Sequence, residues 1–259
     1  MDSVYIRYIN LDRRTDRNED VLNKFKLILG FDESKIKRYS AIDGNNLVGD
    51  LVEKNYIRDV LIEIIREKQI NVKAAELACL LSHYFLLKEI AEDKTIPDDS
   101  NIFLFEDDFF INTEYLTTIK IQNILEEIMN SEFNKKSLWD MIYFGGRFTP
   151  NFNPINKKYF NHVFNNLYKR IDGQGINWDR TTHNYMVKKS NIPNILKCYL
   201  EYYKNKINST FQVDTFYISQ SKNLEMYDYF PHIFYSPRNY STDIQYSKLI
   251  INTKDMIIK

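Results

Sequence analysis

The sequence predicts an α/β protein with helices on the faces of a mostly parallel central sheet. Short apolar runs rich in β-branched residues alternate with longer amphipathic stretches, which indicates repeated strand and helix units. Several of the apolar runs lack polar alternation, as expected of strands that are buried on both faces. The chain has 259 residues and no visible internal repeat or linker, so we expect a single domain over residues 1–259.

The predicted strands are short runs of apolar and β-branched residues that end at turn signals. They cover residues 4–9, 36–42, 102–105, 141–144, 185–187 and 233–235. The second strand ends at Asp43-Gly44 and the fourth at Gly145-Gly146, and both pairs favour turns. Residues 102–105 are wholly apolar, so we expect this strand to lie at the centre of the sheet.

The predicted helices lie between these strands and show a period of three to four residues. They cover residues 15–29, 72–93, 113–129, 192–203 and 213–219. Thr15 is a suitable cap for the first helix, and Gly30 is a suitable stop. Small residues line one face of the second helix, which suits close packing on a sheet. Residues 147–180 have no clear period and predict a long loop of the kind that often carries function.

Composition and charge exclude several classes of protein. The 35 basic and 35 acidic residues cancel, whereas a general nucleic-acid binder would carry a basic excess. Two cysteines, Cys79 and Cys198, cannot form a disulfide framework and do not have metal-ligand spacing. No apolar run approaches the roughly 20 residues of a membrane helix, and the first residues do not resemble a signal peptide. We therefore expect a cytoplasmic protein without a membrane segment.

The strongest local signal is an acidic triplet, Glu106-Asp107-Asp108, directly after the apolar strand 102–105. In open α/β sheets, ligands bind beyond the carboxyl ends of the strands. Three adjacent carboxylates repel one another unless a cation joins them, and their oxygen atoms suit Mg²⁺ or Mn²⁺. A divalent ion held there could also bridge a diphosphate. The alternative interpretation of the triplet is a solvated acidic turn.

Two other segments carry possible chemistry. Residues 9–17 lead from a strand through a polar loop into a helix start, where backbone amides and arginines favour phosphate oxygens. The alternative is an ordinary capped helix start, and the segment contains no glycine-rich dinucleotide or P-loop motif. Residues 75–83 end in Ser82-His83, and such a lone histidine is more often a structural residue than a ligand. A serine hydrolase is disfavoured, because Ser82 is not in a nucleophile elbow and adjacent residues of a helix do not face each other.

Taken together, these segments resemble glycosyltransferase family 25, the family of bacterial lipooligosaccharide and collagen galactosyltransferases. The resemblance rests first on residues 9–17, 41–44, 76–83 and 105–108. Weaker similarities follow in the same order along the chain, at residues 140–145, 183–187, 213–214 and 229–232. The match therefore spans nearly the whole chain.

The resemblance implies a GT-A type, Rossmann-like nucleotide-sugar-binding fold and the inverting transfer of a hexose, galactose or glucose, from a UDP-sugar. Residues 1–110 would form the donor-binding half and residues 111–259 the acceptor-binding half. Asp108 and His232 would hold Mn²⁺ or Mg²⁺. The residues implied to bind the donor are Asn10, Leu11, Arg13, Arg17, Asp43, Ser82, Glu106 and Asp107.

The same resemblance implies an acceptor site in the second half of the chain. Asp214, where the family keeps an acid, is the candidate general base, and the alternative for it is a helix N-cap. From the aromatic residues themselves, Trp178 is a candidate for stacking on a sugar, and Tyr185 is a further candidate acceptor contact. The acceptor would be a glycan, a lipid-linked sugar or a hydroxylated protein side chain, and not a nucleic acid. Two other functions stay open at this point, namely a metal-dependent phosphohydrolase and a non-catalytic module that binds UDP-sugars on the same fold.

Overall fold

The computed structural model describes residues 4–116, 120–136, 139–147, 160–171, 183–205, 211–236 and 248–256. Its central feature is an eight-stranded sheet. In spatial order the strands are β2 (Ile36–Ser40), β1 (Val4–Asn10), β4 (Asn101–Glu106), β10 (Asn184–Lys188), β6 (Met141–Tyr143), β11 (Met226–Tyr229), β9 (Leu167–Arg170) and β8 (Phe160–Phe164).

The sheet is mixed. Among the described strands, the β2–β1, β1–β4 and β6–β11 pairs are parallel, and the four other neighbouring pairs are antiparallel. The α/β class is confirmed, and the parallel arrangement is found mainly in the first half of the chain. Because β10 runs against β4, its amino end lies beside the carboxyl end of β4, where Asn184 pairs with Phe105.

Two smaller sheets complete the described strands. One joins β5 (Phe110–Ile111), β12 (Phe234–Ser236) and β7 (Gly145–Arg147). The other joins β13 (Ile250–Asn252) to β3 (Asn71–Lys73), just before the longest helix. This second sheet ties a segment near the end of the chain to the start of that helix, since the amide of Ala74 donates to the carbonyl of Leu249.

Nine helices are described outside the 3₁₀ and π turns. They are α1 (Thr15–Asn23), α2 (Leu47–Glu53), α3 (Val60–Glu67), α4 (Ala74–Glu92), α5 (Thr113–Leu116), α6 (Ile121–Asn130), α7 (Glu132–Lys135), α8 (Ile192–Asn205) and α9 (Val213–Ser219). None of the helices in the described ranges is both long and apolar enough to cross a membrane.

The central strand β4 separates two hydrophobic cores. Ile102 and Leu104 point into the core that contains α3, α4, α8 and α9. Phe103 and Phe105 point into the opposite core, which contains α1 and α6. Because successive side chains of a strand alternate between its faces, a wholly apolar strand requires apolar layers on both sides. This burial fixes the position of the acidic triplet at the end of β4.

Two of the predicted helices differ most from the structure. The predicted helix 15–29 is α-helical only to Asn23 and continues as a π-helical turn over Lys24–Ile28. Gly30 then ends it with a φ of 63°, a conformation that glycine adopts without steric cost. The predicted helix 113–129 consists of α5 and α6, and residues 117–119 between them lie outside the described part of the chain.

A buried ion pair joins two of the antiparallel strands and gives a test of the fold. Arg170 on β9 donates from Nε to Asp228 Oδ2 on β11 at 3.0 Å and from Nη2 to Oδ1 at 2.5 Å. Their side chains are 5% and 2% exposed. The guanidinium also lies over the ring of Tyr143, 4.6 Å from its centroid.

We expect Asp228→Asn to lower the free energy of unfolding by about 3–5 kcal/mol, because it removes the carboxylate that forms two hydrogen bonds with the buried Arg170 charge. Urea unfolding measures this change. Lys169→Ala is the matched control, since the pair of Lys169 and Glu225 joins the same region but is 40% and 50% exposed. It should cost at most about 1 kcal/mol. Equal losses in the two variants would contradict the prediction.

Candidate active site at the end of the central strands

An open cleft lies at the carboxyl edge of β1 and β4, between the loop after β1 and the first turns of α4. Its volume is about 680 Å³ including the solvent at its mouth, which is in the range of ligand pockets. Nine of the thirteen site residues named from the sequence line it. They are Asn10, Leu11, Arg13, Arg17, Asp43, Ser82, Glu106, Asp107 and Asp108.

Asp107 binds the loop and helix that follow β1. Its Oδ2 accepts from the side-chain amide of Asn10 at 2.8 Å, and its Oδ1 accepts from Arg17 Nη1 at 2.8 Å. Burial raises the pKa of Asp107, and the nearby charge of Arg17 opposes this shift. Asp107 therefore fixes the start of α1 against the end of β4, a contact that the parallel register of these strands makes possible.

Glu106 lies between two histidines. Its Oε1 is 3.0 Å from His83 Nε2, and its Oε2 is 3.3 Å from His183 Nδ1. The other nitrogen of His83, Nδ1, is 2.8 Å from the hydroxyl of Tyr185. Burial acts to raise the pKa of Glu106, but the two imidazoles outweigh it and hold the pKa well below its usual range. The Glu106 carboxylate is therefore ionised.

Asp108 and His183 form the inner part of the cluster. Asp108 Oδ1 lies 2.8 Å from His183 Nδ1, and both side chains are buried. Burial acts to lower the pKa of His183, but the charges of Asp108 and Glu106 outweigh it and raise the pKa to about 10. An imidazolium can thus balance two carboxylates when no metal ion is bound.

Two groups of side chains among the described residues have the spacing of metal ligands. Glu106, Asp108 and His183 form one group, and Cys79, His83 and Glu106 form the other, with ligand atoms within 4.8 Å of one another in each group. Neither group contains His232. Instead, the ring of His232 stacks on Phe230 with centroids 4.5 Å apart, and burial lowers its pKa to about 4.

Ser82 and Asp43 shape the wall of the cleft. The hydroxyl of Ser82 accepts from the amide of Ile42 at 2.9 Å and donates to the carbonyl of Ala78 at 2.8 Å. Asp43 accepts from Arg13 Nε at 2.8 Å, in a partly exposed pair. Gly44 is required here, because a Cβ at this position would lie 2.6 Å from the Cα of Ala75 on α4. The loop 41–44 can therefore lie directly against the helix.

The three other predicted residues that the structure describes, Tyr185, Asp214 and His232, do not line the cleft. Tyr185 is fully buried, and its hydroxyl contacts His83 and the hydroxyl of Tyr217, so its ring is not available to a sugar. Asp214 is the second residue of α9 and accepts from the amide of Thr215 at 2.9 Å. His232 belongs to neither ligand group, and the charges that act on it are those of Asp228 and Arg170. Trp178 lies outside the described residues.

Asp214 is nevertheless electrostatically connected to the cleft. Burial, Glu106 and Asp214 are the three largest causes that raise the pKa of the Cys79 thiol, and Cys79 lines the cleft. The side chain of Gln212, just before α9, also donates to Glu76 on α4 at 3.3 Å. The start of α9 therefore lies beside α4, and the charge of Asp214 acts on a residue of the cleft wall.

Sequence reasoning missed the positions of His83 and His183 in the cluster. The sequence does contain a signal for His83, because this histidine ends the segment 76–83, one of the segments that carry the family resemblance. His183 precedes a strand rather than following one. It reaches the triplet only because β10 is antiparallel to β4, and its carbonyl accepts from the amide of Glu106 at 2.8 Å. Strand polarity could not be deduced from the local pattern.

Comparison with known proteins agrees with this geometry. A family model described as glycosyltransferase family 25, LPS biosynthesis protein, matches residues 1–230. A comparison with curated proteins finds no match. The family match covers most of the chain and includes the strand ends, the loop 41–44, helix α4 and the acidic triplet. The chain therefore belongs to glycosyltransferase family 25.

Proposed function

We propose that this glycosyltransferase is metal-dependent and inverting, and that it moves galactose or glucose from a UDP-sugar to a hydroxyl group of a glycan or protein. The observation that carries the proposal is the cluster at the end of β4. The cluster contains two groups of side chains with the spacing of metal ligands and lies next to the buried Arg17. It forms part of the wall of the open cleft. Such an edge is where open α/β sheets bind nucleotides.

Glu106, Asp108 and His183 fit a Mn²⁺ or Mg²⁺ ion by their chemistry. They offer carboxylate and imidazole donors, which suit such ions, especially Mn²⁺. Asp108 Oδ1 and His183 Nδ1 are also buried without a well-oriented hydrogen bond to any described residue, although they lie close together. When bound, the ion would neutralise the diphosphate of the leaving UDP. In this proposal His183 takes the position that the sequence analysis gave to His232.

The residues after β1 would bind the UDP group. Arg13 is 43% exposed, so its guanidinium can turn from Asp43 toward a diphosphate. Arg17 is held by Asp107 and adds fixed positive charge at the start of α1. Leu11 offers apolar surface to the base. In this arrangement Asp43 binds ribose, while Asp107 and Ser82 act by fixing Arg17 and the loop 41–44.

Asp214 is the proposed general base. It would take the proton of the acceptor hydroxyl as that oxygen forms its bond to the anomeric carbon and the bond to the UDP oxygen breaks on the opposite face. Its position beside α4, with its charge acting on Cys79, supports a place next to the donor cleft. Trp178 remains a candidate for the acceptor site, whereas Tyr185 would act by supporting His83.

The proposed division of the domain follows from the same residues. All nine predicted residues that line the cleft belong to residues 1–110, the proposed donor-binding half. The segment 111–259 contributes His183 to the cluster and carries Asp214 at the start of α9. We therefore propose one domain in which the second half provides the acceptor site and closes the donor site.

The donor can be identified with a panel of UDP-sugars, tested with Mn²⁺ and with EDTA. A UDP-sugar at about 100 times its dissociation constant should raise the melting temperature by about 5–10 °C, and only with metal present. UDP release should increase when an acceptor is added, which separates a transferase from a phosphohydrolase. Full activity in EDTA would contradict the metal role and leave His183 and Arg17 as the positive charges beside Asp108.

We expect Asp108→Asn to lower kcat for transfer by about 10²–10³-fold, because it removes one charged ligand from the group that stabilises the leaving diphosphate. The measurement is UDP release over a Mn²⁺ titration, with the melting temperature as a check of folding. Asp99→Asn is the control, since this acid is exposed in the turn before β4. Unchanged transfer by folded Asp108→Asn would contradict the assignment.

Asp214→Asn should lower kcat by about 10²–10⁴-fold with little change in the donor KM, because the amide cannot accept the proton of the acceptor. Asparagine keeps a side-chain oxygen for the amide of Thr215, so the start of α9 should be preserved. Steady-state kinetics with varied donor and acceptor measure the effect. The control is Glu201→Gln, which changes an exposed acid of α8. Equal kcat values for Asp214→Asn and Glu201→Gln would exclude Asp214 as the base.

A further inference from the structure

A cysteine and a histidine lie side by side at the wall of the cleft. Cys79 and His83 are four residues apart on α4, so their side chains are neighbours on one face of the helix. With Glu106 from the end of β4, they place a sulfur, a nitrogen and an oxygen within 4.8 Å of one another. Zinc bonds of about 2.0–2.3 Å hold ligand atoms roughly 3–4 Å apart, so small side-chain rotations would complete the site.

The surroundings of His83 match those of a metal ligand. Its Nε2 faces Glu106, and its Nδ1 is 2.8 Å from the buried hydroxyl of Tyr185. If Nε2 binds an ion, Nδ1 carries the proton and donates it to the oxygen of Tyr185. Histidines that bind metals nearly always donate from their second nitrogen to an oxygen atom in this way.

The two ligand groups share Glu106 but differ in chemistry. Oε1 of Glu106 faces His83, whereas Oε2 faces His183. The group with Asp108 and His183 offers only oxygen and nitrogen donors. The group with Cys79 and His83 includes a sulfur donor, which favours zinc and other thiophilic ions over magnesium or manganese. The site with the sulfur ligand would therefore favour zinc, and the neighbouring site with oxygen and nitrogen ligands would favour manganese or magnesium.

We propose that Cys79, His83 and Glu106 form a second metal site that binds Zn²⁺ or another thiophilic divalent ion. The thiol of Cys79 releases its proton to solvent as the bond between sulfur and metal forms. Three protein ligands leave a fourth position open toward the cleft. Since Cys79 and His83 line the cleft, a bound ion obstructs the donor and inhibits the enzyme. This inhibition rests on the proposed function, whereas the binding of zinc does not.

The test measures binding of Zn²⁺ by calorimetry and of Co²⁺ by its thiolate-to-metal charge-transfer absorption. We expect Cys79→Ser to weaken zinc binding by at least about tenfold. Losing a residue that only hydrogen-bonds to a metal ligand already lowers metal affinity by about tenfold or more, and Cys79 is a proposed ligand itself. The absorption should also vanish. Cys198→Ser is the matched control, because Cys198 is the other cysteine of the chain and lies on α8. It should keep both signals.

His83→Gln provides a second variant in case Cys79→Ser fails to fold, and it should also lose zinc affinity. Equal zinc affinity in the wild type and in either folded variant would overturn the proposal, as would a charge-transfer band that is lost in Cys198→Ser. In transfer assays, zinc should raise the donor KM of Cys198→Ser more than that of Cys79→Ser. If no donor is found, the calorimetry and the absorption still decide the metal site.

Discussion

Three consecutive carboxylates at the end of a buried strand are the constraint on which this structure depends. Removing a charge from water costs several kcal/mol, so each acid needs a positive or hydrogen-bonding partner. Asp107 finds Arg17 and Asn10, and Glu106 finds His83. His183 lies against both Glu106 and Asp108. The cluster is therefore held from four directions, by β1, α1, α4 and the segment before β10.

This requirement explains why the sheet is mixed. In a fully parallel sheet, only the carboxyl ends of strands would lie beside the carboxyl end of β4. The cluster would then have only the loops that follow strands, such as those after β1 and β2, as neighbours from the sheet. The antiparallel β10 brings an amino end to the same edge and with it a histidine. Two residues after this histidine, the hydroxyl of Tyr185 lies 2.8 Å from His83 Nδ1. The strand β10 and the residue before it thus supply one histidine of the cluster, His183, and the tyrosine that contacts the other, His83. These contacts hold the side chains in place without a ligand.

Much of this arrangement could be predicted from the sequence, because it depends on local patterns. The apolar run before the triplet predicts the buried strand β4, and the small residues of α4 predict its close packing. The roles of Tyr185, His183 and His232 could not be predicted in the same way. A tyrosine in a strand has the same local pattern whether its ring faces a ligand or a buried histidine. Which histidine reaches Asp108 depends on the polarity and order of strands more than 70 residues apart.

If both proposed metal sites bind ions, the shared carboxylate of Glu106 would couple them. Its two oxygens face different histidines, so an ion beside Cys79 and an ion beside Asp108 would compete for the orientation and the charge of one side chain. If the first ion weakens the binding of the second by some factor, linkage requires that the second weaken the first by the same factor. A high concentration of the proposed catalytic ion would then protect the enzyme against the proposed inhibitory ion. The competition arises at a single carboxylate and needs no change of fold.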